Sequence, residues 1–488
     1  MHRLHAIDAE FLHIEDECSP MHIAALCVFE GSAPSNADFV RLLAAKLHYL
    51  PRYRQRVRVP PLELGRPVWV DDPDFDLNYH VRRTALPAPG DDASLCTLMG
   101  RLMSQQLDRE RPLWETWIVE GLENGRWALV TKVHHCMVDG VSGLDLLGIT
   151  LDVDRESSLP QPVPWKPEPA PSGVELVWDA WSGLAEDAAS WGRRLRAHTA
   201  HPENATKAAV ETGQGLLMFA RRLLTVPLSS LEGTIGSHRA YAYSSAQLAD
   251  VRAVRKAYGG TLNDVVLAAI AGGFRTLMIH RGEDADGATL RTMVPVSVRK
   301  PEASGTLGNR VSTVLCDLPV HLSDPLARLV AVQCDMDALK ASHMAEAGEL
   351  LTELWDLAPP MLLGSMSRLV TRLMHRVPQR TVHTIATNIP GPQFPLYCLG
   401  RQMLASYPYV PITQGIRVAT AILSYNGQLS FGVTGDLDSA PDVDVLAQAV
   451  VSEIAELRSL AALAEQQPSS QERREEVPHP ELPGRGRP

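Results

Sequence analysis

Val133-His134-His135-Cys136-Met137-Val138-Asp139-Gly140 sets four ionisable side chains into an otherwise apolar segment, and the organisation of the chain is read outward from it. The residues before it, Trp127-Ala128-Leu129-Val130-Thr131-Lys132-Val133, are rich in strand formers and predict a buried strand. The residues after it, Val141, Leu144, Leu146 and Leu147, begin a helical spacing, with Ser142 as its cap and Asp145 three residues on. The motif HHxxxDG therefore sits where a strand ends. Such a place presents an imidazole to a cleft while the flanking main chain holds it still, as a general base requires.

Successive strand side chains point to opposite faces, so the two histidines are expected to divide the work. His135 is the candidate base, and His134 supports the loop by hydrogen bonding. Asp139, followed by Gly140, suits a sharp turn in which the carboxylate reaches a cation or backbone N–H groups, a structural role. Two histidines and an aspartate also describe metal ligands. Neighbouring strand side chains diverge, however, and there is no second cluster with Cys or His ligand spacing, so no metal is expected.

At 488 residues the chain is too long for one ordinary core, and two large domains fit best. Apolar residues make up 45% and charged residues 21%, a globular composition. The net charge of −11 argues against a nucleic-acid partner. Seven cysteines, with no CxxC pair, suit reduced thiols in a cytoplasmic compartment better than a disulfide framework. No signal-like segment opens the chain, and no uninterrupted membrane-spanning run is present, so a soluble or peripheral protein is expected.

Other stretches carry a bland and a functional reading side by side. Pro112-Leu113-Trp114 is either a cleft wall or a buried strand entry, and large aromatics usually pack. Asn263-Asp264, after Gly259-Gly260, is explained by capping of the apolar helix Val265 to His280. Arg299, at the exit of the strand Thr292 to Val298, is the cation to pair with Asp139. Met361 to Val377 spaces Arg368, Arg372 and Arg376 along an apolar stripe, a basic helix suited to an anionic lipid surface or to core packing. Asn388-Ile389-Pro390-Gly391-Pro392 is a turn-rich loop after a strand, and Asn426-Gly427 is a hairpin turn. The boundaries expected are 1–159 for the first domain, 160–236 for a proline-rich linker and helical crossover, 237–466 for the second domain and 467–488 for a disordered tail.

Taken in this order, Pro112-Leu113-Trp114, His134-His135 through Gly140, Asn263-Asp264, Pro295 to Arg299, Gly308-Asn309-Arg310 and Asn388 to Pro392 resemble the bacterial wax ester synthase/acyl-CoA:diacylglycerol acyltransferase family. HHxxxDG alone marks a wider superfamily; the later motifs narrow it. The resemblance spans about Ile7 to Glu465. It implies an α/β fold of two chloramphenicol-acetyltransferase-like domains facing each other across a central tunnel. It also implies an O-acyltransferase that needs no cofactor beyond acyl-CoA as co-substrate, with diacylglycerol or a long-chain alcohol as acceptor. On that pattern His135 is the base and His134, Asp139 and Gly140 complete its loop. Asn263, Asp264 and Arg299 support the site, and Pro112, Leu113, Trp114, Asn388, Pro390 and Gly391 contact substrate. Peripheral association with the inner membrane face or lipid bodies goes with such substrates. The rival expectations are a different hydroxylated acceptor and a catalytically silent lipid-surface protein.

Overall fold

The computed structural model describes residues 2–137, 145–183, 229–297, 311–341, 364–365, 369 and 381–466. Asp139, Gly140, Arg299 and Gly308-Asn309-Arg310 lie outside the described residues, as does the stretch 467–488. So does the basic stretch 361–377, apart from Gly364, Ser365 and Leu369.

The N-terminal half contributes β1 (His2–Arg3), β2 (His22–Phe29), β3 (Gln55–Arg58), β4 (Val68–Asp71), β5 (Val81–Ala85), β6 (Trp114–Leu122) and β7 (Arg126–His134). The C-terminal half contributes β8 (Arg239–Gln247), β9 (Leu290–Ser297), β10 (Val311–Leu318) and β11 (Thr384–Pro390). It continues with β12 (Tyr397–Cys398), β13 (Arg401–Tyr409), β14 (Val418–Tyr425) and β15 (Gln428–Asp436). Two mixed sheets result, ordered β12-β13-β2-β7-β6-β5 and β10-β9-β11-β14-β15-β8, with a small sheet β1-β4-β3 beside the first.

β7 is an inner strand, antiparallel to both β2 and β6, which is why its residues from Trp127 to His134 are all buried. Its two faces follow the period-2 alternation of a strand. Trp127, Leu129 and Val133 pack with Phe39, Leu42 and Leu43 of the helix Asn36–Lys46. Ala128 and Val130 pack with Leu95, Met99 and Leu102 of the helix Asp92–Ser104. A strand covered on both sides by helices cannot shift register without exposing an apolar face, and this fixes where its C-terminal histidines emerge.

In the C-terminal half the helix Leu262–His280 is the central layer, buried along nearly its whole length. It is long and apolar enough to cross a membrane, yet 72% of its apolar window is buried within the fold. Gly272 and Gly273 let the C-terminal helix Val443–Gln466 approach it closely; a Cβ at Gly272 would stand 2.2 Å from Glu453 Cδ. The Asn426-Gly427 turn joins β14 to β15 with both residues at positive φ, as the spacing predicts.

One strand pair defeats the sequence boundary. β12 and β13 leave the C-terminal half and hydrogen-bond into the N-terminal sheet, β13 running antiparallel to β2 from Met403 to Tyr409. The second domain is therefore not the continuous 237–466: residues 397–409 complete the first sheet. The proline-dense stretch 160–171 has no regular structure and is largely exposed, consistent with an extended connection. The helix at 173–183 that follows buries Leu176 against Val68 and Val70.

Candidate active site

His135 follows directly on β7 in a 3₁₀ turn, His135–Met137. Its backbone N–H donates to the Met21 carbonyl at 2.8 Å, and its ring stacks on Phe11 with centroids 3.9 Å apart and planes 21° from parallel. Burial pushes the imidazole down to about 4, with its own backbone carbonyl opposing and the neighbouring His134 adding to the shift. It is thus neutral at physiological pH. Its Nδ1 is shielded from solvent.

His134 is fully buried and bonded differently. Its backbone N–H donates to the Leu113 carbonyl at 2.9 Å, and its Nδ1 accepts from the Cys136 N–H at 3.1 Å. Its Nε2 lies 3.4 Å from Glu15 Oε2. Glu15 terminates the N-terminal helix Ala6–Ile14, and its side chain is 2% exposed. It also accepts from the Met21 N–H at 3.0 Å and from Arg109 at 2.6 and 3.1 Å, with His22 Nε2 3.3 Å away. Burial alone would raise its pKa, but the adjacent His134 imidazole, with His22 and the Arg109 guanidinium, holds it well below the usual carboxylate range.

Pro112, Leu113 and Trp114 lie under this strand in the core. Trp114 is fully buried, donates from Nε1 to the Tyr53 carbonyl at 2.8 Å and stacks on His80 at 4.5 Å. No face of its indole is left for a ligand, so the expectation of substrate contact at Trp114 gives way to packing that backs the histidine strand.

In the other half the Asn263-Asp264 pair divides. Thr261 is the helix cap, and Asp264 closes a capping box by accepting from the Thr261 N–H at 2.7 Å, so Asp264 is a terminus residue. Asn263 turns instead to β11, its Oδ1 accepting from Asn388 Nδ2 at 3.4 Å. Two separate sequence motifs meet there. Thr261→Ala should cost about 1 kcal/mol of unfolding free energy in urea titration. Asn263→Ala should leave stability within about 0.5 kcal/mol while lowering turnover.

Gly391 donates to Ser424 Oγ at 3.2 Å, and a Cβ on it would sit 2.2 Å from the Ser424 carbonyl oxygen. Its conformation is thus set by close backbone approach to β14. Pro390 pairs with Ser424 in register and is exposed, as is Asn388. Ile389, Leu423 and Tyr425 at these strand ends pack into the same core cluster as Val133 and Met137. The loop after β11 and the histidine turn thus rest on one apolar floor. Among the described residues no hydrogen bond joins His135 to Asn263 or Asn388. A cleft of about 850 Å³ between the helices Asp92–Ser104 and Val443–Gln466 is lined by none of the residues expected from sequence.

A family model for the wax ester synthase/diacylglycerol acyltransferase catalytic domain matches residues 4–266, and one for the C-terminal domain of the same enzymes matches residues 307–458. The chain belongs to the wax ester synthase/diacylglycerol acyltransferase family. A probable diacylglycerol O-acyltransferase of Mycobacterium tuberculosis is 38% identical over 467 residues, covering 94% of this chain and 96% of that protein. A second from the same species is 33% identical over 467 residues, covering 93% and 98%. The wax ester synthase/diacylglycerol acyltransferase of Marinobacter aquaeolei VT8 superposes with a TM-score of 0.67 at 27% identity, covering 95% of this chain and all of that one. The starter condensation domain of rhizomide synthetase shares the fold, with a TM-score of 0.56 at 16% identity over 96% of each chain. The α/β fold with two chloramphenicol-acetyltransferase-like halves, expected from the motif order, is the fold observed.

Within this acyltransferase, sequence reasoning missed Glu15 and Phe11. The available signal was Glu15 itself, a carboxylate at a helix C-terminus, where the macrodipole disfavours negative charge and some other partner must hold it.

Proposed function

We propose that His135 is the general base in the transfer of a fatty acyl group from acyl-CoA to the hydroxyl of diacylglycerol, with long-chain alcohols as a second acceptor class. The observation that carries this reading is the His135 imidazole, held at a strand end by a main-chain bond on one side and an aromatic face on the other.

In the reaction, the acceptor O–H proton passes to His135 as the oxygen attacks the thioester carbonyl carbon. The C=O electrons move onto oxygen, then return to expel CoA as thiolate, which takes the proton back from His135. An imidazole with pKa near 4 is a weak base against an alcohol. Proton transfer therefore accompanies C–O bond formation rather than preceding it. Alignment of hydroxyl and thioester then supplies much of the rate, and a donor to the developing oxyanion supplies more. Asn263, whose amide Oδ1 is engaged by Asn388, keeps its own NH₂ for that task.

The test is CoA thiol release from palmitoyl-CoA by purified protein with diacylglycerol, with hexadecanol and with no acceptor. Release that depends on acceptor, fastest with diacylglycerol, is expected. Release that ignores both lipids is thioester hydrolysis and contradicts transfer to them; none from folded protein points to another hydroxylated acceptor or to a silent lipid-surface protein. The same assay gives the pH dependence. The base works when neutral and its folded pKa is depressed, so kcat/KM should stay flat as pH falls from 7 to about 5 and decline only nearer 4. A limb centred near the ordinary histidine value of about 6.5 contradicts the assignment to His135.

A further inference from the structure

We propose that Glu15 is a positioning residue for acyl transfer: one buried carboxylate that braces the main chain on both sides of His135 and fixes the tautomer of His134. The inference rests on His135 being the base, and it concerns a residue that touches neither substrate nor the reacting atoms.

Two routes run from Glu15 to His135. On one side Glu15 Oε1 accepts from the Met21 N–H at 3.0 Å, and the Met21 carbonyl accepts from the His135 N–H at 2.8 Å. The residue Met21, leading into β2, is thereby held between the carboxylate and the histidine backbone. On the other side Glu15 Oε2 faces His134 Nε2 at 3.4 Å, and His134 Nδ1 accepts from the Cys136 N–H at 3.1 Å. That second chain works in only one protonation pattern. An acceptor at Oε2 calls for the proton on Nε2; this leaves Nδ1 with a lone pair, and the lone pair is what the Cys136 N–H needs to hold the 3₁₀ turn containing His135.

With the proton moved to Nδ1, two N–H groups would face each other inside the core, and the turn would lose its tie. Phe11, one helical turn earlier, lies against the His135 ring. The N-terminal helix thus supplies both the surface that sets the ring plane and the carboxylate that sets the backbone. Arg109 completes the arrangement by donating to Glu15 at 2.6 Å, so that the carboxylate stays ionised within the core. A base that must align with a hydroxyl and a thioester together is sensitive to small displacement; a 1 Å error is worth about 10² in rate.

The test uses the full-length enzyme. In wild-type protein labelled with ¹⁵N-histidine, two-bond ¹H–¹⁵N spectra should show His134 as the Nε2–H tautomer, its signal recognised by its loss in His134→Gln. An Nδ1–H signal in wild type overturns the proposal, whatever any variant does. Glu15→Gln places an amide where the carboxylate was, so one oxygen remains for Met21 while an NH₂ opposes Nε2–H or Arg109. The expected result is a kcat fall of about 10- to 100-fold with KM for acyl-CoA within about twofold, and a mixed His134 tautomer. Unchanged kcat and tautomer in folded Glu15→Gln sinks the idea.

Adding Glu15→Gln to His135→Ala should produce no further loss, because the carboxylate acts through that histidine. A further loss in the double variant means Glu15 acts elsewhere and refutes the brace. If His135→Ala itself keeps full activity, it is the base assignment that has failed, and the tautomer measurement still decides the role of Glu15 in ordering the turn.

Discussion

His135→Ala is expected to lower kcat by about 10²- to 10⁴-fold, the usual worth of a positioned general base. The same change should shift unfolding by no more than about 1.5 kcal/mol, the scale of one aromatic stacking contact, here with Phe11. The neighbouring change should behave in the opposite way. His134→Ala removes a fully buried ring that accepts from the Cys136 N–H and faces Glu15. It leaves buried groups without partners, each costing about 1–3 kcal/mol. Activity and stability therefore fall together at 134, while activity falls almost alone at 135. Turnover of both variants on palmitoyl-CoA and diacylglycerol, beside urea unfolding curves, separates the two roles. Equal effects on stability at both positions would contradict the division of labour drawn from the geometry.

That division was legible in the sequence because it follows from strand periodicity: adjacent residues at the end of a buried strand cannot face the same way. The same rule recovered the histidine strand, and turn chemistry and helical spacing recovered the Asn426-Gly427 hairpin and the helix Leu262–His280 to within a few residues, while the helices Pro325–Ala341 and Val443–Gln466 were not foreseen. It did not recover the partners. Glu15 meets His22, Arg109 and His134, which lie 7, 94 and 119 positions away as the residue numbers run, and no periodicity links such distant points. Nor could a local pattern place β13 in the first sheet, because Arg401–Tyr409 alternates like any half-buried strand and carries no mark of which sheet it will join. Its partner is chosen by the three-dimensional match of Met403, Ala405 and Tyr409 to faces already built from β2. The Asn263-Asp264 dipeptide shows both sides of this limit. Helix-terminus chemistry predicted that the pair would cap, and it does through Asp264, whereas the turn of Asn263 toward Asn388 depends on a strand 125 residues later.

Trp114→Ala should be the most destabilising single change at the motifs singled out from sequence, at about 3–5 kcal/mol. The indole is completely buried, stacked on His80 and set edge-on to Tyr53, and its N–H occupies the Tyr53 carbonyl. Alanine leaves a void and removes that hydrogen bond, against a total stability on the order of 5–15 kcal/mol. Trp114→Phe keeps most of the packing and removes only the hydrogen bond, so about 0.5–1.5 kcal/mol is expected. In urea the midpoint should fall in the order wild type, Phe, Ala at constant slope. The kinetic consequence distinguishes packing from ligand contact. β6 pairs with β7 through Trp114 and Val133, one residue before His134, so a loosened Trp114 disturbs the base and lowers kcat. A substrate wall would act first on KM. A Phe variant with wild-type stability and a KM for diacylglycerol raised severalfold would return Trp114 to the cleft; the hydrogen bonds and stacking around it argue that the loss will appear in stability and kcat instead.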